Sequence, residues 1–303
     1  MNVYTAAVSV ANVWTNPDAP RRIDQAMLSR PVCVKGWLES LTYEKRLELC
    51  TANLIQTQVL FGEEVLVLEE RDGWAAVVIP GQPSAKDERG YPGWMPKASL
   101  AKKRRAEAEA FAVIRKPTAY LYTEEKQREL ELSFLTSLPV LGEDRAWYQV
   151  DTPLGARLLR KKDAGTLSCE KGSGKDIVQT GEAFLHLPYL WGGMSGFGYD
   201  CSGFAFSMLK ANGCFAPRDA GDQAKGGREV PFSRPEPGDL LFFAYAEGQG
   251  RVHHVGIYYG NGKMLHSPKT GKTIEIISIE DTIYEKELCA IRRYFSPETG
   301  GTA

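Results

Sequence analysis

The residues that could do chemistry are one cysteine and two histidines. Cys201 lies in the stretch YLWGGMSGFGYDCSGF, where glycines 192, 193, 196 and 198 permit a tight, irregular loop and close approach of a ligand to the backbone. The run CSGFAFSMLKANG predicts a helix beginning at Cys201, with Asp200 as its cap and Ser202 as a further polar group in the first turn. Its apolar face would be Phe204, Ala205, Met208 and Leu209, and Gly213 is a natural C-terminal stop. A thiol at a helix N-terminus sits at the positive end of the dipole, which favours the thiolate. The position therefore predicts a thiol pKa below its ordinary value and a nucleophilic sulfur.

An activated thiol needs a base, and the chain has four histidines: His186, His253, His254 and His266. His254 and His266 flank the glycine-rich turn at residues 260–262 between two predicted strands. A two-residue loop would put them on opposite faces of the hairpin. A three-residue loop over 260–262 puts them on one face, placed diagonally, about 7–8 Å apart between α-carbons. On that register His254 faces the nucleophile and His266 stands behind it as the orienting group. His186 ends a predicted helix and reads as a surface residue. His253 points to the other face and reads as structural. Zinc on Cys201, His254 and His266 would need further ligands, and Cys214 is poorly placed to supply one. No metal and no cofactor are expected. On these residues alone two readings stay open, a nucleophile and a structural thiol.

The elements that must position this set come from a chain of 303 residues with 37 Lys+Arg against 38 Asp+Glu. A net charge of −1 gives no electrostatic footprint for nucleic acid or anionic lipid. No apolar run approaches the ~18 residues of a membrane span. The start, MNVYTAAVSVANVW, lacks the basic segment and unbroken apolar stretch of a signal peptide, so a cytoplasmic protein is expected. The six cysteines are scattered with no C-x-x-C pair, which argues against a zinc ribbon or a disulfide framework.

Residues 3–14 alternate like a strand, residues 21–50 (with Trp37, Leu38, Leu41, Leu47 and Leu49) read as a helical insertion, and strands return at 65–70 and 74–80. GEEVLVLEERDGWAAVVIP with GYPGWMPKASL weakly repeats in LPVLGEDRAWYQVDTP with LGARLLRKKDA. Each unit places a Trp-led strand (Trp74, Trp147) after an acidic turn, and this pattern predicts two small β-barrels. The basic runs at 102–105 and 160–162 read as solvated surface. CEKGSGKD at 169–176 reads as a linker. Beyond it, helices at 177–187 and from 201 precede strands at 238–245, 253–259, 263–267, 273–278 and 288–294, an α+β arrangement.

YLWGGMSGFGYDCSGF, PRDAGDQ, PGDLLFF and HHVGIYYGNGKMLHS, occurring in this order over residues ~175–295, resemble the NlpC-type cell-wall endopeptidases, a papain-like cysteine peptidase family. With bacterial SH3-like modules upstream, the whole chain resembles the γ-D-glutamyl-L-diamino-acid endopeptidases of murein peptides. The resemblance implies an SH3-like domain over 1–100 with a helical insertion, a second over 101–168, and a papain-like domain over 169–303, helices packed on an antiparallel sheet. It implies Cys201 as nucleophile, His254 as base and His266 as the orienting residue. It further implies that Asp200, Ser202, Tyr91 and Glu63, with Glu64 as an adjacent candidate, bind the free N-terminal amine of the substrate. Asp219 matches a substrate-contacting loop. Ala220 stands where the family commonly has Ser, so a hydroxyl contact is missing.

The expected activity is cleavage of the γ-D-glutamyl–L-diamino acid bond of murein peptides with a free N-terminal L-Ala. It would release L-Ala-γ-D-Glu for cell-wall recycling, in a monomer whose only partners are peptides carrying L-Lys or meso-diaminopimelate. The alternatives are an amidase or acyltransferase on the same scaffold, or a non-catalytic wall-binding module.

Overall fold

The computed structural model describes residues 2–103, 109–166 and 171–296. Part of the 102–105 basic run and the start of the 169–176 linker lie outside the described residues. The chain divides into two units, Met1–Leu167 with Leu190–Gly198, and Ser168–Tyr189 with Tyr199–Ala303.

The first unit is built on two seven-stranded sheets. In hydrogen-bonding order, one runs Ile55–Leu60, Val10–Trp14, Tyr91–Pro96, Trp74–Ile79, Glu64–Arg71, Asn2–Ala6, Leu100–Lys102. The other runs Arg128–Ser133, Thr118–Tyr122, Gly155–Arg160, Trp147–Thr152, Ser137–Glu143, Phe111–Ile114, Ala164–Thr166. Counted from the start of each sheet, both orders read 3-2-6-5-4-1-7, so the weak sequence repeat is a repeat of topology. Trp74 and Trp147 open equivalent strands. The alternation over 3–14 is not one strand but two, Asn2–Ala6 and Val10–Trp14. Between them the backbone bonds elsewhere, Ala7 N to Ser99 O at 2.8 Å and Ser9 O from Phe61 N at 3.2 Å.

The helical insertion comprises a 3-10 turn, Arg22–Met27, and the helices Val34–Ser40 and Tyr43–Thr51. Fully buried Trp37 holds it together by donating its indole N–H to Asp24 Oδ1 at 2.8 Å. Arg21 forks onto the same carboxylate at 2.8 and 3.0 Å, which satisfies a charge that would otherwise be costly to bury.

The glycine-rich segment Leu190–Gly198 belongs to this first unit although it leads directly into the helix Cys201–Ala211. Gln58 Oε1 accepts from Met194 N and Ser195 Oγ, both at 3.0 Å. A side chain at Gly196 would place its Cβ 1.9 Å from Pro117 O. Glycine is therefore required there by close backbone approach.

The second unit is a six-stranded antiparallel sheet in the order Arg228–Glu229, Leu288–Arg293, Leu240–Ala244, Val252–Gly260, Lys263–His266, Glu275–Ser278. The strand Leu240–Ala244 is buried along its whole length, as an unbroken apolar run predicts for a covered strand. Asp239, just before it, is fully buried and takes both arms of Arg293 at 2.6 and 2.8 Å, clamping the last strand to the sheet.

The helix Gly174–Glu182 packs on the helix Cys201–Ala211, and a Cβ on Gly181 would sit 2.6 Å from Leu265 Cδ2 and 3.1 Å from Phe204 Cζ. The first helix stops at Glu182, short of the predicted 187, and His186 follows at φ 70° with its side chain exposed.

Candidate active site

The helix Cys201–Ala211 begins where the sequence predicts. Asp200 is its cap, accepting from Gly203 N at 2.6 Å, and Gly213 leaves it at φ 68°. Residues 202–209 are all buried, so the helix is covered on every side and not along one stripe alone. Such a helix is a fixed support for the residue at its first position. The Cys201 sulfur is approached by the backbone amides of Val255 and Ser202, which sets the thiol beside the residue that follows His254.

The hairpin carrying the two histidines solves its parity differently from the prediction. Gly260 pairs with Lys263, so the loop is the two residues Asn261 and Gly262, at φ 51° and 70°. A two-residue loop alone would separate the histidines. An irregularity between Tyr258 and Gly260 inserts one extra residue into that strand, and the parity is restored. Ile257 opposite Leu265 makes His254 and His266 diagonal neighbours on one face. Their rings meet, His254 Nε2 lying 2.8 Å from His266 Nδ1 with an interplanar angle of 77°. Both are buried, at 3% and 1% exposure. With Nε2 engaged, Nδ1 is the nitrogen of His254 left for a thiol.

His253 points the other way, pairing with Glu287 at 2.9 Å and stacking on Tyr245, a structural arrangement.

Burial decides the charge states. It pushes the Cys201 thiol up to about 12, and the adjacent Asp200 carboxylate adds to this, against the Val255 and Ser202 amides and Arg218, which pull it down. Burial also drives His254 well below the ordinary histidine range, with His266 and His253 adding, and lowers His266 to about 4. The expectation of a depressed thiol pKa is therefore corrected. Desolvation works against the thiolate that the helix end favours, and against the charged form of both imidazoles.

Arg218 lies behind the thiol and was not among the predicted site residues. It is 1% exposed, and its guanidinium reaches Asp200 Oδ1 at 3.1 Å, Asp200 Oδ2 at 2.7 Å and Ser202 Oγ at 2.8 Å. Ser202 in turn donates to Asp200 Oδ1 at 3.2 Å. Asp200, Ser202 and Arg218 thus form one buried network. Gln223 ties the loop to the helix through Ser202 O at 3.1 Å and Pro217 O at 2.9 Å.

Asp219 precedes the short helix Ala220–Gln223 at its cap position, and both Asp219 and Ala220 are half-buried. The ring of Tyr284 packs against His254 and His266 at 5.2 and 5.4 Å. Its hydroxyl is pushed up to about 12, by burial first and then by the adjoining Cys201, Glu275 and Glu287.

The remaining predicted residues lie in the first unit. Tyr91 is 2% exposed, and its hydroxyl accepts from Lys86, whose ammonium stands 4.2 Å from the ring centroid and donates to Gln56 Oε1 at 3.1 Å. Glu63 Oε2 accepts from Leu60 N at 2.9 Å and so closes its own turn. Glu64 pairs with Lys103. Tyr91 and Lys86 form a cluster that the sequence gives no reason to pair.

A thiol on a buried helix start, beside a strand hairpin that carries two hydrogen-bonded imidazoles, is the arrangement of a papain-like cysteine peptidase. Residues 186–293 match the NlpC/P60 family, residues 51–100 the bacterial dipeptidyl-peptidase Sh3 domain, and residues 114–166 the YKFC SH3b2 domain. The chain belongs to the NlpC/P60 family.

It is 56% identical over 294 residues to the gamma-D-glutamyl-L-lysine dipeptidyl-peptidase of Bacillus subtilis (strain 168), an alignment covering 97% of this chain and 99% of the relative. It is 41% identical to the protein of the same name from Bacillus cereus, over 95% of this chain and 89% of that one. A solved NlpC/P60 family protein from Bacillus cereus ATCC 10987 superposes with a TM-score of 0.93 at 40% identity, covering 97% of this chain and all of the other.

Proposed function

We propose that the protein is a cysteine dipeptidyl-peptidase that hydrolyses the γ-D-glutamyl–L-lysine bond of murein peptides carrying a free N-terminal L-Ala, releasing L-Ala-γ-D-Glu. The observation that carries this reading is the 2.8 Å bond between His254 Nε2 and His266 Nδ1, next to a thiol at the head of a buried helix. The full-length similarity to two relatives named for this activity supports the substrate and favours L-Lys over meso-diaminopimelate.

Cys201 is the nucleophile in this reading. The resting pair is neutral, so the sulfur loses its proton to His254 Nδ1 as it attacks the γ-carbonyl, and the imidazolium exists only from that point on. Backbone N–H groups at the helix start, including that of Cys201, take the developing oxyanion. His254 then gives the proton to the departing α-amine of lysine. A water, deprotonated by the same nitrogen, cleaves the thioester and frees L-Ala-γ-D-Glu. His266 holds the imidazole in place throughout.

Asp200, Ser202, Tyr91 and Glu63 are the proposed partners of the substrate ammonium, and Asp219 and Ala220 belong to the proposed substrate loop. Asp200 Oδ2 takes one bond from Arg218 and keeps capacity for another donor, which suits an ammonium. The proposed domains are 1–100, 101–168 and 169–303. The proposed setting is recycling of released peptides in the cytoplasm by a monomer. Among the described residues no helix is long and apolar enough to cross a membrane.

The test is turnover of L-Ala-γ-D-Glu-L-Lys beside its N-acetylated form. Cleavage of the first and not the second is expected, and equal cleavage of both would overturn the ammonium requirement.

A further inference from the structure

We infer that Glu275 is a positioning residue that selects the tautomer of the two histidines, and through it makes His254 a base. The inference rests on the reading of Cys201, His254 and His266 as the reacting set. Glu275 stands directly opposite His266 on the neighbouring strand, as the register pairs the two α-carbons. Its Oε1 lies 3.7 Å from His266 Nε2, with the imidazole 1% and the carboxylate 36% exposed. His266 Nε2 is buried with no hydrogen-bond partner.

The His254–His266 bond can be made in two ways. In one, His254 Nε2–H donates to a bare His266 Nδ1, and His266 carries its proton on Nε2. His254 Nδ1 then keeps a lone pair and can take the thiol proton. In the other, His266 Nδ1–H donates to a bare His254 Nε2. The proton of His254 is then on Nδ1, and the ring cannot act as a base toward Cys201.

The 2.8 Å bond satisfies both arrangements equally, so it does not choose between them. The carboxylate does. In the first arrangement an N–H dipole at His266 Nε2 points its positive end toward Glu275. In the second a bare lone pair, buried and unbonded, faces a negative charge. Electrostatic attraction in the one case and repulsion in the other favour the arrangement in which His254 is basic. Tyr284, also packed on the two rings, has its hydroxyl held protonated by burial and adds no charge at neutral pH, and His253 stacks on His254 from the other side with its Nε2 on Glu287.

Four side chains at position 275 and one spectroscopic reading test this. A role through charge predicts that kcat falls in the order Glu, Asp, Ala, Lys, with Glu275→Ala about tenfold down and Glu275→Lys lower still, and with KM within about twofold throughout. A role through packing alone would rank the variants by size, with Lys close to Glu. Nitrogen-15 NMR of the histidine rings reads the tautomer without turnover. The wild-type chain should carry the His266 proton on Nε2, and Glu275→Lys should move population to Nδ1.

A wild-type His266 bare at Nε2, or all three variants within about twofold of wild type in kcat, would overturn the inference. If Glu275→Lys fails to fold, the wild-type tautomer and the Asp and Ala variants decide it. Turnover by Cys201→Ala would instead defeat the assignment of the reacting set, so the two failures are distinguishable.

Discussion

Replacing Arg218 by methionine should destabilise the second unit severely and disable the site with it. The substitution keeps an unbranched apolar stem of similar reach and removes the guanidinium. Arg218 is 1% exposed and Asp200 is 7% exposed, so little water can replace what is lost. Asp200 Oδ2 would lose its 2.7 Å partner, Oδ1 would lose one at 3.1 Å, and Ser202 Oγ would lose one at 2.8 Å. Breaking a buried ion pair from one side costs about 3–5 kcal/mol, because the remaining charge stays buried and unpaired. Hydrogen bonds to charged groups, at about 1.5–3 kcal/mol each, give an overlapping range of about 3–6 kcal/mol for the two made to the carboxylate.

Urea unfolding of Arg218→Met against the wild type measures the loss. The double variant Asp200→Asn with Arg218→Met should recover part of it, since no buried charge is then left alone. A loss below about 1 kcal/mol in the single variant would refute the reasoning. So would a double variant no more stable than the single one, because the cost would then not come from an orphaned carboxylate.

Stability should also fall on acidification through the histidines. His266 is neutral when folded down to about pH 4, whereas unfolded it takes a proton near its ordinary value of 6.5. Between these limits the unfolded chain binds more protons, so stability rises with pH across that window and is lost as pH falls. The shift corresponds to roughly 3 kcal/mol at its acid end, and His266→Asn should flatten the curve measured by urea unfolding from pH 7 to 4. Activity should follow the same direction. His254 titrates well below the ordinary histidine range, so kcat should hold steady through pH 6.5 and decline only in more acidic buffer; a half-loss of kcat centred at pH 6.5 would contradict a buried neutral base.

Much of this was legible because it is local. The helix from Cys201, its Asp200 cap and its Gly213 stop follow from capping chemistry, and the two β modules follow from strands spaced by turns and opened by Trp74 and Trp147. The strands of the second unit follow from apolar runs such as LLFFA.

What was not legible depends on partners distant in the chain. Arg218 reads as an ordinary loop charge until folding buries it against Asp200. Glu275 reads as one charge in an exposed strand until the sheet sets it opposite His266. The residue inserted at the Tyr258–Gly260 irregularity gives the two histidines their common face, and no count of loop residues alone reveals it. The state of the thiol was misread for a related reason. A helix end acts through nearby partial charges, whereas desolvation sums over everything that packs around the sulfur, and the surroundings of Cys201 are assembled from several segments.

Mass spectrometry of products from L-Ala-γ-D-Glu-L-Lys incubated with the wild-type chain and with Cys201→Ala tests the role of Cys201 most directly. Wild type should yield L-Ala-γ-D-Glu and free lysine in equal amounts, and rapid quenching should catch the chain heavier by the dipeptide acyl group on Cys201. Cys201→Ala should yield neither product nor adduct. Cleavage by Cys201→Ala at a rate near that of wild type, or release of alanine by the wild type in place of the dipeptide, would contradict it.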